Sequence, residues 1–165
     1  MTSATARVAL RSAPGARSRR LAAPILVALW ALLGIEAAGG LVIYCARIAF
    51  GTTPGEAFHV AAGLALLPVW IVYQWNHWLR VRPLRPLLDY TVGLLAASSM
   101  ALTNLTGVAL GALWWRDRVA RALPAARVPA ALSAAHLSGT MLVLTFVGAH
   151  VGAVLLRDAR ARGRR

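Results

Sequence analysis

Four residues carry most of the chemistry legible in this chain: His59, His77, His136 and His150, each inside a long apolar stretch. An imidazole near neutral pH ligates metals through a ring nitrogen or hands on a proton. Ionisable side chains in apolar spans usually have a functional role, although hydrogen bonding across helices is a plainer one. On a helix the 18-residue step from His59 to His77 is close to five whole turns. The 14-residue step from His136 to His150 falls about 40° short of four turns, so each pair shares one helix face. Small residues line those faces. Gly63 follows His59 by one turn, Gly139 follows His136 by three residues, and Gly148 and Gly152 flank His150, with Ala61, Ala62, Ala135 and Ala149 adding thin wall. Such a wall admits a large flat ligand, and it also serves simple helix packing.

The elements that position these histidines follow from composition. In 165 residues, 59% are hydrophobic, 14% are charged and the mean hydropathy is +0.63, which is too oily for a soluble domain of this size. A bilayer core takes roughly 20 apolar residues per helix, and four stretches qualify: about Leu21–Ala46, Glu56–Leu79, Leu87–Trp115 and Ala130–Leu156. Gly51 and Pro54, Pro83 and Pro86, and Pro124 and Pro129 mark the breaks between them. Trp75 and Trp78 close the second span and Trp114 and Trp115 the third, where interfacial aromatics belong. Loops this short force an all-α, up-and-down four-helix membrane bundle. The first run is long, carries Glu36 and shows no small-residue cleavage site, so it reads as a retained helix and not a signal peptide. The expected organisation is a basic arm over 1–20, the bundle over 21–156 and a basic tail over 157–165.

Charge placement argues topology. All 18 basic residues are arginine, against Glu36, Glu56, Asp89, Asp117 and Asp158, for a net charge of +13. They cluster at the chain ends and in the breaks, not along amphipathic faces or among aromatics, so nucleic acid is not the expected partner. The two ends and the second loop together hold 13 arginines, and the first and third loops hold 5. The positive-inside rule then makes both termini cytoplasmic. The single cysteine, Cys45, excludes an internal disulfide and reads as a small apolar filler.

In such a bundle the second and fourth spans run in the same direction. His59 therefore meets His136 near one membrane surface, and His77 meets His150 near the other. The two depths are separated by roughly 27 Å of helix on one span and 21 Å on the other, a mismatch that tilt or a kink at Pro68 absorbs. This geometry suits two haems, each with two axial histidines. Two neutral imidazoles fill both axial positions of an iron and favour electron transfer over oxygen binding. A loose internal repeat accompanies the scheme: Gly39-Gly40 through His59, Gly63 and His77-Trp78-Leu79-Arg80 is echoed by Thr106-Gly107 through His136, Gly139, His150 and Leu155-Leu156-Arg157.

On these residues the chain resembles the bacterial di-haem b-type cytochromes, particularly their four-helix membrane subunits and the four-helix core of respiratory cytochrome b. His136 to His150 with Gly139 between them, and the helix bearing His59 and His77, carry the likeness. The 18-residue step on the second span is longer than the family pattern. The resemblance implies two b-type haems, ligated by His59/His136 and His77/His150. It also implies a place in the inner membrane of a bacterium, and electron passage between a quinone pool and a partner oxidoreductase subunit.

Other polar residues have two readings each. Glu36 handles a proton near a quinone, or is held neutral by a neighbour such as Thr103 or Asn104. Arg80, Arg82, Arg85 and Arg157 pair with haem propionates or with anionic lipid heads. Gly34 and Gly93 are small residues against which a second copy could pack. The alternative function is a haem-free membrane protein, such as a transporter subunit, a proton or metal path, or an assembly factor. The haem reading predicts that His136→Ala abolishes one haem and leaves the His77/His150 centre in place, as read by haem content; equal retention of both haems would overturn the ligand assignment.

Overall fold

The computed structural model describes residues 24–81, 88–121 and 128–163. The basic arm, the start of the first span at Leu21, the loop residues Arg82, Pro83, Arg85, Pro86 and Leu87, and Pro124 all lie outside the described residues. Apart from short connections, the described residues are helical: α1 (Pro24–Phe50), α2 (Glu56–Val81), α3 (Leu88–Trp114), one π-helical turn (Trp115–Val119) and α4 (Ala130–Arg162).

Local chemistry sets the ends. Gly51, at φ 66°, stops α1 in the left-handed conformation that glycine adopts without strain, and its N–H donates to the Arg47 carbonyl at 3.1 Å. Thr53 Oγ1 donates to Glu56 Oε2 at 3.2 Å where α2 begins. Pro129 opens α4 by accepting from the N–H groups of Leu132 and Ser133. Helix outlasts the apolar stretches at three ends. α1 continues to Phe50, α4 to Arg162, and the stretch after Trp115 is a π-turn closed by the Ala120 N–H on the Trp115 carbonyl at 2.9 Å. Arginine is a good helix former, so the backbone ladder does not stop where the oily residues do.

The helices form two antiparallel hairpins, α1 with α2 and α3 with α4, joined by a smaller α2–α3 contact. Residue pairings hold one register in each hairpin: Glu36 beside Gly63 and Gly39 beside His59 in the first, Gly93 beside His150, Thr103 beside Gly139 and Gly107 beside His136 in the second. Both described ends of the bundle therefore lie at the same end as the α2–α3 connection. One residue from each helix, Leu29, Leu66, Met100 and Val143, makes the buried core at mid-height, with Val69, Trp70, Tyr73 and Val147 packed on it.

The outer surface is apolar. Phe50 is 78% exposed, Leu105 72% and Ile48 69%, an arrangement that water penalises and hydrocarbon does not. All four helices are long and apolar enough to cross a membrane, which suggests a multi-pass membrane protein with the bilayer as its solvent.

Candidate functional site

The bundle brings the four histidines together in two pairs across the gap between the parallel helices α2 and α4. The ring centroids of His59 and His136 are 6.5 Å apart with planes at 77°. Those of His77 and His150 are 6.1 Å apart with planes at 88°. Leu66 on α2 and Val143 on α4 lie between the pairs, and Val143 stands midway between His136 and His150 in sequence. The two pairs thus sit at two depths, separated by the hydrophobic layer.

The pair at the end bearing the α1–α2 and α3–α4 connections is held by polar neighbours. His136 Nδ1 lies 3.1 Å from the Thr103 carbonyl oxygen and 3.1 Å from Thr106 Oγ1. The Thr106 hydroxyl has carbonyl acceptors of its own, at Leu102 (2.8 Å) and Thr103 (3.1 Å), so its oxygen is free to accept. This fixes the tautomer by acceptor supply: Nδ1 carries the proton and donates it, and Nε2 keeps its lone pair. Across the gap, His59 Nδ1 comes within 3.2 Å of Glu36 Oε2 without the alignment of a hydrogen bond.

Glycines on the other two helices make the seats. A methyl group on Gly39 or Gly40 of α1 would stand 3.5 or 3.4 Å from the His59 ring. On Gly107 of α3 it would stand 3.1 Å from His136 Cε1, and on Gly93 it would stand 3.0 Å from His150 Cε1. Gly93 is therefore occupied by an imidazole and is not a contact surface for a second copy, whereas Gly34 faces open space. His77 is held differently: its ring stacks on Tyr73, one turn earlier on α2, with centroids 5.5 Å apart and planes at 13°.

Gly63 and Gly139 are small for reasons of their own. Gly63 accommodates the Glu36 carboxylate, 3.3 Å from where a Cβ would lie. Gly139 is buried against Thr103, whose Oγ1 would be 2.6 Å from a Cβ. Gly148 and Gly152 meet nothing within 4 Å. The partner of Glu36 is His59, not Thr103 or Asn104; Thr103 Oγ1 donates instead to the Ser99 carbonyl at 2.9 Å. Thr103 and Thr106 were not identifiable from sequence as supports of His136. The signal available was the repeat itself, which aligns Gly39-Gly40 with Thr106-Gly107, the residues found against His59 and His136.

The residues present fit the haem that the resemblance implies. Two imidazoles bonded to one metal ion at about 2 Å each place their ring centroids roughly 6 Å apart, the spacing found in both pairs. Three buried polar atoms, Glu36 Oε1, His59 Nδ1 and Asn104 Nδ2, have no hydrogen-bond partner among the described residues. In a native interior such orphans call for an unlocated partner, an ion, water or ligand. The donors the structure brings together are two facing imidazole pairs.

Because no Cβ fits at Gly139 without moving Thr103 away, Gly139→Ala is expected to cost about 1–3 kcal/mol by overpacking, read as a lower unfolding midpoint in detergent. Gly148→Ala should stay within about 0.5 kcal/mol of the parent.

No protein-family model, no curated protein and no solved structure matches this chain, so the paired imidazoles are the ground on which a function rests.

Proposed function

We propose that this chain is a di-haem b-type membrane cytochrome that carries electrons across the bilayer between a quinone pool and a partner oxidoreductase subunit. The observation that carries this reading is the recurrence, at two depths, of two imidazoles on parallel helices at the separation of a shared iron. His59 with His136, and His77 with His150, are the pairs that would hold the two haems. A haem so held would supply one-electron transfer chemistry.

The chain's own residues do the rest. The Thr103 carbonyl and the Thr106 hydroxyl hold the Nδ1 proton of His136 and leave Nε2 as the ligand atom. Gly93, Gly107, Gly39 and Gly40 give the imidazoles room at the helix interfaces. Leu66, Met100 and Val143 keep the space between the two depths dry, which limits the reorganisation accompanying electron passage. Tyr73 fixes the plane of His77 by stacking.

At the end of the bundle nearer His59, a shallow cleft of about 450 Å³ is lined by Thr53, Glu56, Trp114 and Arg118. It offers a carboxylate, a guanidinium and an indole to the polar ring of a quinone one helical turn from His59. The arginine distribution supports cytoplasmic termini, and the resemblance supports a bacterial inner membrane.

A dithionite-reduced minus oxidised spectrum of the detergent-purified protein, with a haem-to-protein ratio, tests the reading. Two low-spin b haems per chain are expected, and Gly93→Val, whose side chain collides with His150, should leave only the His59/His136 centre. No haem in a folded sample supplied with haem would overturn it and return the histidines to a haem-free role as a proton or metal path.

A further inference from the structure

The amide of Asn104, deep in α3, has its Nδ2 sealed from solvent with no hydrogen-bond partner among the described residues. A polar side chain in a helix has a local remedy, which is to donate to the carbonyl one turn earlier. Asn76 Nδ2 does so on α2, to the Val72 carbonyl at 2.8 Å. Beside Asn104 on α3, Thr103 Oγ1 donates to the Ser99 carbonyl at 2.9 Å and Thr106 Oγ1 to the Leu102 carbonyl at 2.8 Å. Asn104 Nδ2 is turned away from that remedy. A buried donor without an acceptor costs its full desolvation, and hydrocarbon supplies no water to answer it. Of the three orphaned polar atoms it is the one that can only donate, so what it calls for is an acceptor.

The register of α3 says where that acceptor lies. Met100, Asn104 and Gly111 fall within about 40° of one another around the helix. Met100 belongs to the buried core, and a Cβ on Gly111 would meet Val60 of α2 at 3.3 Å, next in the chain to His59. The neighbouring Thr103 places its carbonyl oxygen 3.1 Å from His136 Nδ1, and Gly107, about 4.5 Å further along the helix, seats the same ring. Asn104 therefore stands between the apolar core layer and the level of the His59/His136 pair, on the side of α3 turned to the α2 helix that carries His59.

We propose that Asn104 is a haem-binding residue, whose buried amide donates a hydrogen bond to a propionate of the haem held by His59 and His136. The inference rests on the di-haem reading. The oxygens of a b-type haem are those of its propionates, and a carboxylate brought into a span needs donors as much as this amide needs an acceptor. A bond from a neutral N–H to a carboxylate is charge-assisted and roughly twice as strong as one between neutral groups. Asparagine supplies it without adding a second charge to the interior.

Asn104→Leu removes the donor at similar volume, and Asn104→Ala removes it without bulk and serves if the leucine variant does not fold. The test follows haem loss from the detergent-purified di-haem protein to an excess of a haem-scavenging protein, together with the propionate-bending bands in resonance Raman spectra. One haem, the one missing from His136→Ala, should leave about tenfold faster with its propionate band shifted, and the other should leave at the parent rate. Two haems lost at parent rates with unshifted bands, or a change confined to the His77/His150 haem, would overturn the role of Asn104 and leave the di-haem reading standing. Faster loss with unshifted bands, or equal acceleration of both haems, would overturn it too, since the amide would then answer water or the protein fold and not the haem. Absence of haem from the unsubstituted protein would overturn both readings.

Discussion

A histidine ring cannot be left facing hydrocarbon, and that single constraint organises this bundle. Lipid offers no hydrogen bonds, so an imidazole in a span must turn toward other protein. With His59 and His77 on one face of α2, and His136 and His150 on one face of α4, the rotation of both helices about their axes is decided at once. The remaining helices then have to accept the rings. They do so with glycine at 39 and 40 on α1 and at 93 and 107 on α3. Between the two ring layers, Leu29, Leu66, Met100 and Val143 close the bundle with ordinary apolar packing.

The polar side chains on α3 follow from the same constraint. A threonine in a helix can return its hydroxyl proton to a carbonyl one turn earlier, as Thr103 and Thr106 do, and remain satisfied in lipid. Its oxygen then still accepts, and a helix carbonyl has a second lone pair, so α3 can hold the Nδ1 proton of His136 without a charged group. α1 meets His59 with a carboxylate instead. The two hairpins that resemble each other in sequence thus set different polar groups beside corresponding histidines.

The longer histidine step on α2 has a structural counterpart. A 14-residue step from His59, matching that on α4, ends at Tyr73, and His77 stands one turn further along, stacked on that tyrosine ring. The extra turn adds roughly 6 Å of helix. Even so, His77 reaches a centroid distance from His150 within half an ångström of that in the other pair. Pro68, which removes a backbone donor midway along α2, lies where the two spacings have to be reconciled.

The number of helices, their length and apolarity sufficient to span a membrane, their up-and-down order and the facing of His59 with His136 and of His77 with His150 were all legible in the sequence. These depend on quantities local to a segment: apolar length, arginine placement and the 3.6-residue period that puts two histidines on one face. What the sequence left open was every relation set by register between helices. Gly63 and Gly139 read as walls beside histidines, yet one accommodates Glu36 and the other Thr103. Gly93 read as free surface and holds His150. Glu36 could be placed deep in a span, but a shift of one turn in the α1–α2 hairpin would give it another neighbour, and only the connection from Gly51 to Gly55 fixes that register. Periodicity assigns a residue to a face; which side chain stands opposite is decided by the turns and by close packing, and these exist only in the folded chain.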